Sequence, residues 1–239
     1  MKKGEFIMVD GVDGAGKTTI INTWKKFLRQ NNRKIFGIRE YWQQNQNHPE
    51  FEQLKDYDFI FSAEPTSVWT GAALRKEMIK QDSDYSGKAI AEAFSLDRLV
   101  LYKRLLLKLL NEDVSIIQDR GISTSLCYQP LQSTELTREK VANLEGNAFA
   151  LKNNPEYLIL ADLPIEDALE RLDLRQQQDD SVFEKRKFLN RARETFLSKE
   201  YQDYFIKQGT EIKKLDTSVN IDIMKEKSVS LLQNILNIN

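Results

Sequence analysis

The sequence predicts an α/β domain in which a parallel sheet of about five strands lies between two layers of helices. Two observations carry the prediction. Short apolar runs alternate with longer stretches of helical periodicity along the 239 residues, the pattern of a parallel sheet covered on both faces. Between the first run and the first helical stretch, residues 11–18 read Gly-Val-Asp-Gly-Ala-Gly-Lys-Thr. That is a glycine loop of the form G-x-x-x-x-G-K-[ST], in the strand–loop–helix setting that gives the spacing its chemistry.

The elements follow in order. Phe6–Val9 is a short apolar run that fits a buried strand, and Ile20, Ile21, Trp24, Phe27 and Leu28 recur at helical spacing across Lys17–Gln30. Further strands are expected at Phe59–Ser62, Val114–Gln118, Tyr157–Ala161 and Glu211–Leu215, with a weaker candidate at Lys34–Ile38. Helices are expected over Ala72–Lys80, Lys88–Leu110, Thr137–Asn153, Ile165–Arg175, Phe183–Gln208 and Ile221–Leu236. The Lys88–Leu110 pattern is the clearest, with Ala91, Phe94, Arg98, Leu101, Leu105 and Leu109 at steps of three and four. Two polar stretches, Glu40–Asp58 and Gln176–Ser181, read as mobile. No repeat and no linker rich in Pro, Gly or Ser divides the chain, so residues 1–239 are expected to form one domain.

The glycine loop predicts a nucleoside triphosphate site. Gly11, Gly14 and Gly16 accept backbone angles closed to other residues, so successive amides can wrap a phosphate chain at a helix N-terminus. Lys17 is placed for the outer phosphates and the Thr18 hydroxyl for Mg²⁺. The ATP site is therefore assigned to Gly11, Asp13, Gly14, Ala15, Gly16, Lys17, Thr18 and Thr19.

Composition excludes several alternatives. Thirty-five Lys and Arg against 36 Asp and Glu leave no basic field for nucleic acid. No apolar run approaches the roughly 18 residues of a membrane helix, and the N-terminal apolar segment is too short for a signal peptide. One cysteine, Cys127, excludes an internal disulfide and fits a reducing compartment, so the expected location is cytoplasmic. His48, alone in a polar stretch, reads as a solvated loop histidine without a role.

Four stretches beyond the loop bear on the second substrate. Glu64-Pro65-Thr66 with Gly71 and Arg75 puts a carboxylate at the sheet's C-terminal edge, where open α/β sheets bind ligands; alone, it equally fits a strand-ending turn. Phe94-Ser95-Leu96-Asp97-Arg98 sets a ring and a guanidinium on one helix face, although Phe94 alone also suits a core. Asp119-Arg120, continuing to Ser125 and Gln129, follows a strand as a Mg²⁺-holding acid does, or as a structural ion pair does. Asp162-Leu163-Pro164 ends a strand ahead of the helix Ile165–Arg175, the polar tract and Glu184; Arg171 and Arg175, four apart on that helix, can meet a transferring phosphoryl or pair with neighbouring acids.

Taken together these segments resemble the thymidylate kinase family of nucleoside monophosphate kinases: its R-E-P-[GT], F-x-x-[DN]-R, D-R-Y-x-x-S-S-x-A-Y-Q and L-D-V-P stretches. The resemblance implies a three-layer P-loop kinase fold with a mobile lid, about residues 171–184, and transfer of the γ-phosphoryl of ATP to dTMP. It implies an acceptor site of Asp13, Glu64, Arg75, Phe94, Arg98, Arg120, Ser125 and Gln129, and Mg²⁺ on Thr18 and Asp119. Gly14 stands where some members carry an arginine, which assigns the catalytic guanidinium to the lid, Arg175 first and Arg171 second, with Lys17 and Arg120. Asp13 matches an acid that approaches the acceptor's 3′-hydroxyl, though it also fits a turn tied to its own backbone. A homodimer packed through helices is implied in the same way. Three departures stand out: Ala63 replaces the arginine before Glu-Pro, Gly121 replaces the tyrosine of D-R-Y, and the connection at about residues 39–58 is roughly twenty residues longer. Two other readings stay open, a kinase for another nucleotide or deoxynucleoside and a non-catalytic nucleotide sensor; a GTPase switch lacks its N-K-x-D signature here.

Overall fold

A computed structural model describes residues 4–80, 82–173 and 182–238. The central strand, β1 (Phe6–Asp10), is buried at every position, as a strand covered on both faces must be. It feeds the glycine loop and α1 (Lys17–Gln30), whose Ile20, Trp24 and Leu28 are buried on one face as the periodicity requires. There follow β2 (Ile35–Gly37), α2 (Ile38–Asn45), a 3₁₀ turn at Phe51–Gln53 and β3 (Phe59–Ala63). Next, α3 (Trp69–Ala73) runs into a π-helical turn at Leu74–Met78, and α4 (Gly87–Leu101) continues through another at Tyr102–Leu106 into α5 (Leu107–Asn111). The remainder is β4 (Ser115–Asp119), α6 (Ile122–Gln132), α7 (Arg138–Asn143), α8 (Glu145–Lys152), β5 (Tyr157–Asp162), α9 (Ile165–Asp173), α10 (Val182–Leu197), α11 (Lys199–Ile206), β6 (Glu211–Asp216) and α12 (Ile221–Leu236).

All strand pairs are parallel and the order is β2-β3-β4-β1-β5-β6. The sheet has six strands, one more than the five firm candidates, because Ile35–Gly37 pairs with Phe59–Phe61 at the edge. Helices pack on the sheet through one contiguous apolar core that includes Met8, Trp24, Leu105, Ile116, Ile159 and Phe205. On one side α1 meets α12, where the Trp24 indole donates to Ser228 O at 2.8 Å. On the other, α4 lies against α8, and Gly146 makes that approach possible: a Cβ there would fall 1.8 Å from Ser95 O.

Four expectations change. The segment Thr137–Asn153 is two helices, split where Leu144 turns extended. Phe183–Gln208 is likewise interrupted at Ser198, whose hydroxyl accepts from Tyr201 N and starts a new helix. The stretch Glu40–Asp58 is not a loose loop: α2 buries Ile38 and Trp42, and Leu54 is fully buried beyond it. His48 is not solvated. It is buried, its Nδ1 accepts from the Trp42 indole at 3.3 Å, and its ring lies edge-on to Trp42 and Trp69.

Candidate active site

Three of the segments singled out in the sequence, the glycine loop, Glu64-Pro65-Thr66 and Asp119-Arg120, lie at the C-terminal ends of β1, β3 and β4, where parallel strands release their chains into loops. The glycine loop leaves β1 there. Gly11, Gly14 and Gly16 have φ of 141°, 83° and 86°, values that admit glycine and strain anything larger. Gly16 caps α1. The Lys17 ammonium lies inside the loop, donating to Gly11 O at 2.9 Å and Val12 O at 2.7 Å. Burial, helped by the charge of Arg120, lowers its pKa to about 8. Thr18 is exposed at the loop's mouth, and Ala15 is buried beneath it.

A pocket of about 650 Å³ adjoins the loop. Its wall carries Asp13, Glu64, Phe94, Arg98, Arg120, Ser125 and Gln129, seven of the eight residues expected around an acceptor. Arg98 is buried at the pocket's base, donating to Glu64 at 2.8 Å and Ser125 at 2.9 Å and to the Asn147 carboxamide. Glu64 also accepts from Gln118 at 3.0 Å. Burial pushes the Glu64 carboxyl up to about 7, with the Arg98 charge pulling the other way. Phe94 is only half-buried and faces the cavity, so its ring is a wall rather than core. Gln129 donates to Ser125 at 3.3 Å, while its own carbonyl oxygen is buried with no partner among the described residues.

Arg120 joins the pocket to the loop. It takes a left-handed backbone, φ 64°, at the end of β4, and its guanidinium bonds the Asp13 carboxylate and reaches Asp10 at 3.4 Å. The Tyr128 ring lies 5.8 Å beneath it. These carboxylates, with burial acting against them, hold its pKa above the ordinary arginine range.

Arg75, the eighth residue, is outside the pocket wall. Its guanidinium donates to Pro65 O and Thr66 O and so clamps the turn after β3. Arg171 donates to Thr217 O at 2.8 Å and comes within 3.5 Å of Gly14 O, on the outer side of the glycine loop. Arg175 lies outside the described residues, as do the side chain of Glu184 and most of the expected lid at about residues 171–184. Gly121 is in the pocket wall, and a Cβ there would run into Met8 and Gln118.

Sequence reasoning missed several groups. Asp10 ends β1, is fully buried, and accepts from Thr124 at 2.6 Å, from Ser123 and from its neighbour Gly11 N at 2.8 Å. An acid closing a strand ahead of a glycine loop was signal enough to find it. Asp97, already inside a singled-out motif, grips Thr66 through N at 2.7 Å and Oγ1 at 2.6 Å and fixes the turn that carries Glu64. Arg39, bonded to Asp119 at 3.2 Å, had no local signal.

A glycine loop at a parallel sheet edge, opposed by a cavity with arginine at its base, defines a phosphate-loop nucleotide-binding protein. The family model for thymidylate kinase matches residues 50–227. A probable thymidylate kinase of Pyrococcus horikoshii is 30% identical over 177 residues, 72% of each chain. A probable thymidylate kinase of Methanosphaera stadtmanae is 25% identical across 93% of this chain and 94% of its own. A thymidylate kinase of Buchnera aphidicola is 26% identical across 94% and 92%. The chain belongs to the thymidylate kinase family.

Proposed function

We propose that this protein transfers the terminal phosphoryl group of ATP to dTMP, giving ADP and dTDP. One observation carries the reading beyond family membership: Arg120 bonds Asp13 of the glycine loop while lining the same pocket as Phe94, Arg98 and Gln129. Donor loop and acceptor cavity thus share a boundary, which is the requirement for direct transfer between two phosphates.

The loop amides and Lys17 hold the donor phosphates. Phe94 stacks on the pyrimidine. The unpartnered Gln129 oxygen suits the imide N–H of thymine or uracil, which cytosine lacks. Arg98, already fixed by Glu64, Ser125 and Asn147, presents its remaining N–H groups to the base. Arg120 orients the acceptor phosphate, whose oxygen attacks already ionised, so no strong base is needed. Positioning and stabilisation of charge on the migrating group supply most of the rate. Arg171 and Arg175 are the arginines assigned to that charge from the lid side.

The residues present fit Mg²⁺. Asp119 Oδ1 is buried with no partner among the described residues, and magnesium commonly takes one or two protein oxygens, completing its shell with water and phosphate. Thr18 and Asp119 would hold it, and there it would neutralise charge on the donor phosphates. The reading also comprises one kinase domain spanning residues 1–239, a cytoplasmic location and a homodimer. Supporting the location, Cys127 is a buried free thiol and no described helix is long and apolar enough to cross a membrane.

The test is an acceptor panel: ATP consumption with dTMP, dUMP, dCMP, dGMP and thymidine, with Lys17→Ala as the blank. dTMP is expected to give the highest kcat/KM and a diphosphate product. Clear preference for another acceptor would overturn the substrate assignment.

A further inference from the structure

We infer that Arg39, supplied by the long connection between β2 and β3, is a binding residue for the acceptor's phosphate. The inference rests on the reading that the acceptor is a nucleoside monophosphate.

The sheet register explains how Arg39 gets there. Gly37 pairs with Phe61 across β2 and β3, and Ala63 pairs with Asp119 across β3 and β4. Arg39 therefore leaves the edge strand at about the level of Ala63, and Asp119 lies two strand spacings away, about 10 Å. Its guanidinium spans that distance and meets Asp119 Oδ2 at 3.2 Å. Ala63, a buried residue at the end of β3, stands between them in the sheet register.

The helix that delivers Arg39 is itself fixed. Ile38 and Trp42 are buried on either side of it in sequence, and Glu40 bonds Lys25 of α1 at 2.6 Å. The guanidinium is thus held on a packed element rather than on a free loop, the arrangement binding sites require. Its side chain is 44% exposed, and among the described residues Asp119 is the one group it bonds. Several of its N–H donors stay available at the sheet edge.

Other cations converge on the same place. Arg75 clamps the Pro65–Thr66 turn next to Glu64, and Arg120 follows Asp119 directly. Arg75 feels both neighbours: after burial, the charge of Arg39 is the largest influence lowering its pKa, and Arg120 adds to it. Three guanidiniums gathered beside a cavity repel one another, and an anion with several oxygens relieves that repulsion by bonding all three. A phosphate monoester entering between Arg120 and Arg75 meets this requirement. An isolated half-exposed ion pair with Asp119, by contrast, contributes little to stability.

The experiment compares Arg39→Ala and Arg39→Lys with wild type by calorimetric titration of dTMP and of thymidine, which lacks the phosphate. Expected for Arg39→Ala is a 10- to 100-fold weaker Kd for dTMP with thymidine affinity within twofold. Arg39→Lys should lose less than tenfold, and melting temperatures should stay within a few degrees. Unchanged dTMP affinity, or equal weakening of dTMP and thymidine, would overturn the inference. Failure is separable from failure of the substrate reading, because the latter shows as a wild-type protein that does not bind dTMP at all.

Discussion

In the role proposed for it, Lys17 combines two demands that ordinarily conflict. Phosphate binding wants a desolvated cation, and desolvation makes that cation costly to keep: burial first, then Arg120, lowers its pKa from 10.5 to about 8. The folded group loses its proton before the unfolded one does. Between about pH 8 and 10.5 the unfolded chain therefore binds more protons, and the stability of the free protein gains from this residue as pH rises through that window. Replacing Lys17 with Met removes the effect. Denaturant titrations from pH 7.5 to 10.5 should show wild type gaining on Lys17→Met by up to roughly 3 kcal/mol, while turnover of the variant at pH 7.5 falls by roughly 10²–10³. Parallel stability curves would mean the ammonium is not desolvated in the free loop. Asp10 shows a complementary device: its carboxylate is buried, yet four donors surround it, from Gly11, Arg120, Ser123 and Thr124. It ties the loop to α6 and contributes order rather than chemistry.

At the scale of elements, α2 and the turn beyond it show what a polar sequence can hide. Gln43–Pro49 has no apolar periodicity, but Trp42, His48 and Trp69 assemble a small aromatic core with Arg104 stacked 5.2 Å over Trp69. Burial, then the charge of Arg104, lowers the His48 pKa to about 4. The folded state keeps the ring neutral while the unfolded chain protonates near pH 6.5, so stability is full above 6.5 and is lost as pH falls toward 4. His48→Phe should flatten that acid limb, removing up to roughly 3 kcal/mol of pH dependence, even though the Trp42 indole loses its acceptor. An unchanged slope between pH 6.5 and 4 would show that His48 is not the group responsible. The same contrast measures how legible the fold was. Strands β1, β4 and β5 and helices α1 and α12 carry apolar patterns dictated by a sheet covered on both faces, and they stand within a residue or two of where the pattern puts them, as does the more exposed edge strand β6. Helix α6 carried no such pattern: Ser123, Thr124, Ser125 and Pro130 disfavour a helix locally, and tertiary contacts with α7 and α10 hold it. The break at Leu144 was equally silent; the helix it starts, α8, packs on α4 through Gly146, a tertiary contact with no local signature. In the site, motif residues could be placed because their spacing encodes chemistry, whereas Arg39 could not, since its partner is 80 residues away and only sheet register joins them.

Across the whole molecule, the pocket proposed for the acceptor is held by one buried polar network. Arg98 of α4 reaches Glu64 after β3, Ser125 of α6 and Asn147 of α8, and Gln118 of β4 completes the set on Glu64. One side chain, 1% exposed, thus joins α4 to the turn after β3, to α6 and to α8, and β4 is added through Glu64. A buried ion pair of this kind is a weak source of net stability, since desolvation offsets its attraction, but losing Arg98 leaves Glu64 buried without its counter-charge, where it must take up a proton, and strands the Asn147 carbonyl oxygen without its donor. Arg98→Met is therefore expected to cost about 3–5 kcal/mol in urea unfolding. Glu64→Gln combined with Arg98→Met removes both charges and should recover at least half of that loss, a coupling of roughly 1.5–3 kcal/mol in the double-mutant cycle. Neither variant should bind dTMP as wild type does, because both strip the pocket's base of its oriented donors. Additive losses would separate Glu64 from Arg98 energetically and leave the pocket's shape to apolar packing alone. Recovered stability without recovered binding would instead assign the network to specificity: the buried charges are kept because they orient Arg98 toward a ligand, and the fold could be held without them.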